Sequence, residues 1–320
     1  MDSMIVLRNG ELAVTIDPDH GAEIVQLISL PTGRQLLGRP PFFPDPPVHG
    51  DIDEVTWTNS YRGGWQLLAP NAGNACRLQG IEHGFHGMAS VDRWEIQNSS
   101  DKHAHFAWSG HGLRIQRIIF VHEDRLIIHV KIAAEQQSAA FIATEHITFG
   151  LALLEPCVEI VTVGGSAREM SVTSPTGPQP NAWPFARLLD GELERCDSWP
   201  SEKPRSRLLC ISDMPQGRIA LRNGDHSLGA AIQWPLAVFP YCWIWHENRS
   251  ATGIWEKRAQ ILGLEPSMSS QHCGLGQAVE NGEARWLTEG ESIEYSVSLR
   301  VLINAAAFNG FVESRRAKSI

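Results

Sequence analysis

The sequence predicts an all-β protein built from antiparallel sheets, and three observations carry that reading. Short runs rich in β-branched and aromatic residues recur along the chain, separated by turn-forming residues. In RLIIHVKIAA, Ile128, Val130 and Ile132 share one face while Ile127, His129 and Lys131 share the other, the period of two of a half-buried strand. No heptad, internal repeat or low-complexity tract competes with this pattern.

Taken in order, IVLRN, ELAVTID and EIVQLISL read as strands punctuated by NG, DPDHG and PTG. Residues 38–50 hold five prolines, which exclude a central strand or a helix interior. RWEIQ, HAHFAW, LRIQRIIFVHED, RLIIHVKIAAE and AAFIATEHITFGLAL follow as strands, the third and fourth joined by a short acidic hairpin turn. Residues 172–206 are rich in Pro, Ser and Gly and read, like 38–50, as a long loop over one rim of the β core. GRIALRN, SLGAAIQW, YCWIWHE, AQILGLE and SIEYSVSLRVLI complete the strands, and the tail from Ala305 to Ile320 reads as helical. Strand patterning resumes after each loop, so the expectation is one domain over 1–320, with its core at about 4–302 and a tail at 303–320.

Composition narrows the function. The 320 residues are 42% hydrophobic and 20% charged, enough for a sizeable core. A net charge of −9 and no Lys/Arg cluster argue against a nucleic-acid partner. The six cysteines are scattered without a CxxC pair, and Cys210 and Cys242 sit in apolar runs as small hydrophobes. No signal-peptide pattern and no membrane-length apolar run are present, so the expected location is cytoplasmic, with no membrane partner.

No segment matches a phosphate-binding loop, a dinucleotide fingerprint, a nucleophile elbow or an HExxH helix. His83 and His86 are three apart in a Gly-containing loop, a spacing that does not mark a metal pair, and no metal is expected. What remains is four polar or aromatic segments: YRGGWQLLAPNAG (61–73), EHGFHGMASVDRW (82–94), TEHITFG (144–150) and LGLEPS (262–267). Thr144, His146 and Thr148 make a polar face on an otherwise apolar strand, while Glu145 points away from His146. Pro266 biases Glu265 toward extended backbone and is expected to end its strand, holding the carboxylate at a rim.

In this order the four segments resemble the aldose 1-epimerase (galactose mutarotase-like) family across roughly residues 4–302. The resemblance implies a β-supersandwich with a concave sugar-binding face and no cofactor. It also implies Glu265 as general base, His146 as general acid, and His83, Arg62 and Asp213 as groups orienting sugar hydroxyls. A carboxylate and an imidazole suit mutarotation on chemical grounds, since one must take the anomeric O1 proton while the other protonates ring O5. The hexose-6-phosphate branch of the family places arginine directly after HGF; here that position is His86, which disfavours a phosphorylated substrate. Among the eleven tryptophans, Trp65, Trp243 and Trp245 are candidates to stack on a pyranose, with Trp243 and Trp245 on one strand face. Arg62 has Asp53 and Glu54 as alternative acidic partners. The expected partner is a monosaccharide, a homodimer is compatible with the sequence, and the alternative function is sugar binding without turnover.

Overall fold

The computed structural model describes residues 4–41, 44–200, 204–251, 255 and 257–313. Among them, the period-two runs form two large sheets. The first has thirteen strands; its central path runs Glu23–Ser29, Trp65–Leu68, Thr144–Phe149, Gln260–Ser267, Tyr241–Asn248 and Arg205–Ser212. The second has nine strands and centres on Arg218–Asn223, Gly229–Gln233, Ser292–Leu302, Arg125–Ala134, Leu113–His122 and His103–Gly110. Neighbours along both paths are antiparallel except where Ser166–Glu169 meets Phe185–Arg187, which run parallel. Two small hairpin-like pairs, Cys76–Leu78 with Ile81–His83 and Ala139–Phe141 with Arg285–Leu287, lie outside them.

Alternation decides which residues enter the layer between the sheets. On Arg125–Ala134 the buried set is Leu126, Ile128, Val130, Ile132 and Ala134, as the pattern requires. Its outer face carries Lys131, paired with Glu294 across the ladder at 2.9 Å. One charge enters the interior at a period-two position. Arg117, fully buried on Leu113–His122, donates to Ala22 O at 3.0 Å and pairs with the buried Glu145 of the facing sheet at 3.4 Å. Trp65 Nε1–H and Tyr295 O–H complete the shell of Glu145 at 2.7 and 3.0 Å. The helix Ala305–Glu313 covers the far side of the second sheet, with Phe308 and Phe311 against Ala220, Ala231 and Leu302. The helical tail thus extends to Glu313, and 314–320 lie outside the described residues.

Several expectations change in detail. AAFIATEHITFGLAL is two strands in different sheets followed by a short helix, Leu151–Leu154. The 172–206 stretch contains the short strands Asn181–Ala182, Phe185–Arg187, Leu193–Arg195 and Ser198–Trp199, because its apolar residues find sheet edges that only the folded chain supplies. Residues 201–203 of that stretch, and 42–43 of the proline-rich loop, lie outside the described set. The described part of 38–50 forms no strand or helix. Pro266 does not end its strand: the ladder continues to Ser267, with Pro266 opposite Cys242. Two helices lack any sequence expectation, Glu54–Ser60 and Gly274–Glu280. No helix among the described residues is long and apolar enough to cross a membrane.

The paired glycines of RGG are a packing device. Both have positive φ, and a Cβ would meet Gly38 O at 2.0 Å from Gly63 and Ile24 O at 2.3 Å from Gly64. They let the 61–64 turn lie directly on two neighbouring backbones.

Candidate active site

Thr144–Phe149 and Gln260–Ser267 are neighbours in the first sheet, in a register that pairs Thr144 with Ser267 and Ile147 with Leu264. His146 therefore stands opposite Glu265, with both side chains on the face turned away from the second sheet. His146 Nε2 lies 3.5 Å from Glu265 Oε1, and both residues are buried. Gly263, two residues before Glu265 on the same face, leaves the carboxylate its space. A Cβ there would sit 2.5 Å from Glu265 Oε1 and 3.1 Å from Trp245 Cβ.

The pair forms the floor of a cavity of about 550 Å³, within the range of small-molecule sites. Its wall is aromatic. Trp57 lies edge-on to His86 at 4.6 Å and to His146 at 5.9 Å between ring centroids. Trp245 and Trp255 approach each other at 5.1 Å on the opposite side. Tyr61 stacks behind, between Trp57 and Trp255, and donates to Thr148 Oγ1 at 3.0 Å. Val172 and Leu189 from the 172–206 stretch reach the mouth, so this stretch does border the cavity.

Burial governs the electrostatics. It pushes the Glu265 carboxyl well above the carboxylate range. Burial, assisted by His272, pushes His146 down to about 3. Burial therefore favours the uncharged form of both groups, with the exchangeable proton on the carboxyl. His272 is lowered to about 4 by burial. His86 is lowered well below the usual imidazole value by burial and then by His272 and His146. Four proton-handling side chains thus share one cavity, whose lining also includes Glu54, Glu169, Arg207 and Glu247. The described residues contain no group of three or more His, Cys, Asp or Glu side chains arranged to hold a metal ion.

Of the sequence candidates, the structure brings Glu265, His146, His86 and Trp245 together around the cavity. It places five others elsewhere, among them Trp243, which is fully buried and donates its Nε1–H to Ser269 O at 2.7 Å. Arg62 pairs with Asp17 at 2.7 Å and with Glu23 at 2.7 Å, not with Asp53 or Glu54, and lies outside the cavity lining. Asp17 ends the strand Leu12–Asp17 and Glu23 begins the strand Glu23–Ser29, and together they supply the counter-charge of a partly buried guanidinium. Trp65 is fully buried between the sheets, because strand alternation puts it on the side of Glu145. His83 packs on His111 at 4.6 Å in the small hairpin, and burial and His111 lower it to about 4. The chain then turns at His86, whose φ is +60°, and that turn points Phe85 and His86 inward in place of His83. Asp213 is exposed on a turn, with φ +55°, and accepts from Ser212 Oγ at 2.9 Å.

The sequence reading missed Trp57, Trp255 and His272. Trp57 had a signal: Asp53 caps the helix Glu54–Ser60 by accepting from Thr56 N–H at 2.7 Å, and Glu54 occupies its first turn. His272 had none, since it sits in the irregular SSQHCG after the Glu265 strand.

No protein-family model matches the sequence, and a search of curated proteins returns no relative. Solved structures do match. A galactose mutarotase related enzyme from Lactobacillus acidophilus is 14% identical, with a TM-score of 0.69 over 95% of this chain and 99% of that one. An Escherichia coli K12 protein provisionally assigned as an aldose 1-epimerase is 15% identical, with a TM-score of 0.68 over 94% and 99%. A galactose mutarotase-like protein from Clostridium acetobutylicum is 14% identical, with a TM-score of 0.63 over 94% and 95%. Two broad antiparallel sheets in this connectivity, matched over nearly the whole chain, make this a galactose mutarotase-like β-supersandwich.

Proposed function

We propose that the protein is an aldose 1-epimerase, interconverting the α and β anomers of a free aldose by general acid–base ring opening. The observation that carries this reading is the His146–Glu265 pair, 3.5 Å apart on adjacent strands at the floor of an aromatic cavity. A pyranose seated there presents its anomeric hydroxyl and its ring oxygen to two groups of different proton affinity. Transfer of the carboxyl proton to the imidazole creates the carboxylate and imidazolium forms. Glu265 then takes the O1 proton, electrons flow from O1 to form the aldehyde, the C1–O5 bond breaks, and His146 protonates O5. Opening returns both side chains to the uncharged state that burial favours. Rotation about C1–C2 and the reverse transfers close the ring on the other face. The aromatic walls fit the C–H faces of a sugar, and the mechanism calls for no cofactor.

The decay of optical rotation of fresh α-D-glucose and α-D-galactose tests this, comparing the natural protein with Glu265→Gln. Acceleration by the first and its loss in the second supports the assignment. Equal rates for both proteins across a panel of aldoses would refute it. Sugar binding without turnover is the second reading, favoured by burial, which works against the charged forms of both groups, and by the absence of Arg62 and Asp213 from the cavity lining. Calorimetric binding with no rate enhancement would select it.

A further inference from the structure

His86 and His272 face the same cavity with ring centroids 5.3 Å apart, and each ties its Nδ1 to the protein wall. The two ties run in opposite senses. Gly73 N–H donates to His86 Nδ1 at 3.0 Å. A backbone amide can only donate, so His86 Nδ1 is the bare nitrogen and its ring proton sits on Nε2. His272 Nδ1 lies 3.2 Å from Asn74 Oδ1. The Asn74 amide has one orientation, because its Nδ2 donates to Val172 O at 2.7 Å and a reversed group would set two oxygens against each other. Asn74 Oδ1 therefore accepts, His272 Nδ1 carries the proton, and His272 Nε2 is bare. Burial keeps both rings neutral, so each carries one ring proton.

We propose that His86 and His272 form a directional reader of two neighbouring sugar hydroxyls, one accepting from His86 Nε2–H and the next donating to His272 Nε2. This deepens the epimerase reading and rests on it, naming the substrate as an aldose with a vicinal diol beside its reacting end. Asn74 is a positioning residue that sets the tautomer of His272. The same tautomers disfavour a cation between the rings, because a protonated His86 Nε2 offers no lone pair.

Long-range proton–nitrogen NMR at neutral pH reads the tautomers directly; the expected result is Nε2–H on His86 and Nδ1–H on His272. Calorimetry with monodeoxyfluoro analogues of the tightest-binding aldose reads the consequence, since fluorine accepts weakly and cannot donate. Fluorine at the hydroxyl facing His86 is tolerated, while fluorine at its neighbour weakens binding about tenfold or more. Asn74→Asp, which keeps an oxygen acceptor, preserves that contrast, and Asn74→Leu erases it. The opposite tautomer at either ring, or uniform losses around the sugar, overturns the reader while leaving the epimerase reading standing. Failure of every unmodified aldose to bind overturns both.

Discussion

Glu145 and His146 are consecutive residues that serve opposite sides of one sheet. The Glu145 carboxylate accepts from Trp65 Nε1–H at 2.7 Å between the two sheets, while His146 Nε2 stands 3.5 Å from Glu265 in the cavity. A single strand therefore anchors the sandwich with one side chain and supplies the candidate chemistry with the next. The two roles are separable by mutation.

Glu145→Gln leaves Arg117 buried without its counter-charge, and the expected destabilisation is about 3 kcal/mol or more. Urea denaturation measures it. A double variant, Glu145→Gln with Arg117→Met, should recover most of the loss, because no charge is left stranded and the amide oxygen still accepts a hydrogen bond from Trp65 or Tyr295.

Glu265→Gln keeps the shape of the side chain and removes its proton-accepting capacity. Anomerisation is expected to fall by about 10²–10⁴-fold. The melting temperature should hold or rise, since the buried carboxyl is replaced by a group that never ionises. A large drop in melting temperature with activity intact would count against the catalytic role.

Gly263→Ala tests the geometry without touching either catalytic group. The added methyl would lie 2.5 Å from Glu265 Oε1 and must displace the carboxylate or Trp245. The expected outcome is a fall in kcat, read by polarimetry, with circular dichroism showing the sheets retained.

The pH profile of kcat/KM should carry the mark of Glu265. The proposed pair works with one shared proton, held at rest by the Glu265 carboxyl, so activity falls as pH rises through the Glu265 pKa, which burial places above the ordinary 4.5. On the acid side activity falls only as His146, lowered to about 3, takes up a second proton. An acid limb at the usual carboxylate value would contradict the assignment.

Stability should fall on acidification, and from a higher pH than a salt-bridged carboxylate would set. His246 is buried and lowered to about 3 from 6.5 by burial and then by Arg207 and Arg205. Among the described residues neither of its nitrogens has a hydrogen-bond partner. Between these two values the unfolded chain binds the proton and the folded chain does not, so stability is lost as pH falls below about 6.5. His146 and His272 act in the same sense. Thermal melts from pH 7 to pH 4 should show a falling midpoint, and His246→Leu should flatten the slope.

Much of this was legible locally. Period two put Ile128, Val130 and Ile132 on one face and split Glu145 from His146, because successive side chains on a strand must point to opposite faces. The family resemblance singled out His146 and Glu265, and the fold brings them together. The resemblance also named Arg62 and His83, and the fold sets these against Asp17, Glu23 and His111, partners distant in sequence.

The sequence by itself determined an all-β chain, its alternating faces, and two residue types suited to exchanging protons with a sugar. Tertiary structure alone decided that His146 and Glu265 share a cavity floor, that Arg62 is taken up by Asp17 and Glu23, and that His272 joins His86. The physical reason is range. Side-chain alternation is a property of a few consecutive residues, whereas strand register, burial and the tautomer of a ring depend on partners that only folding brings near.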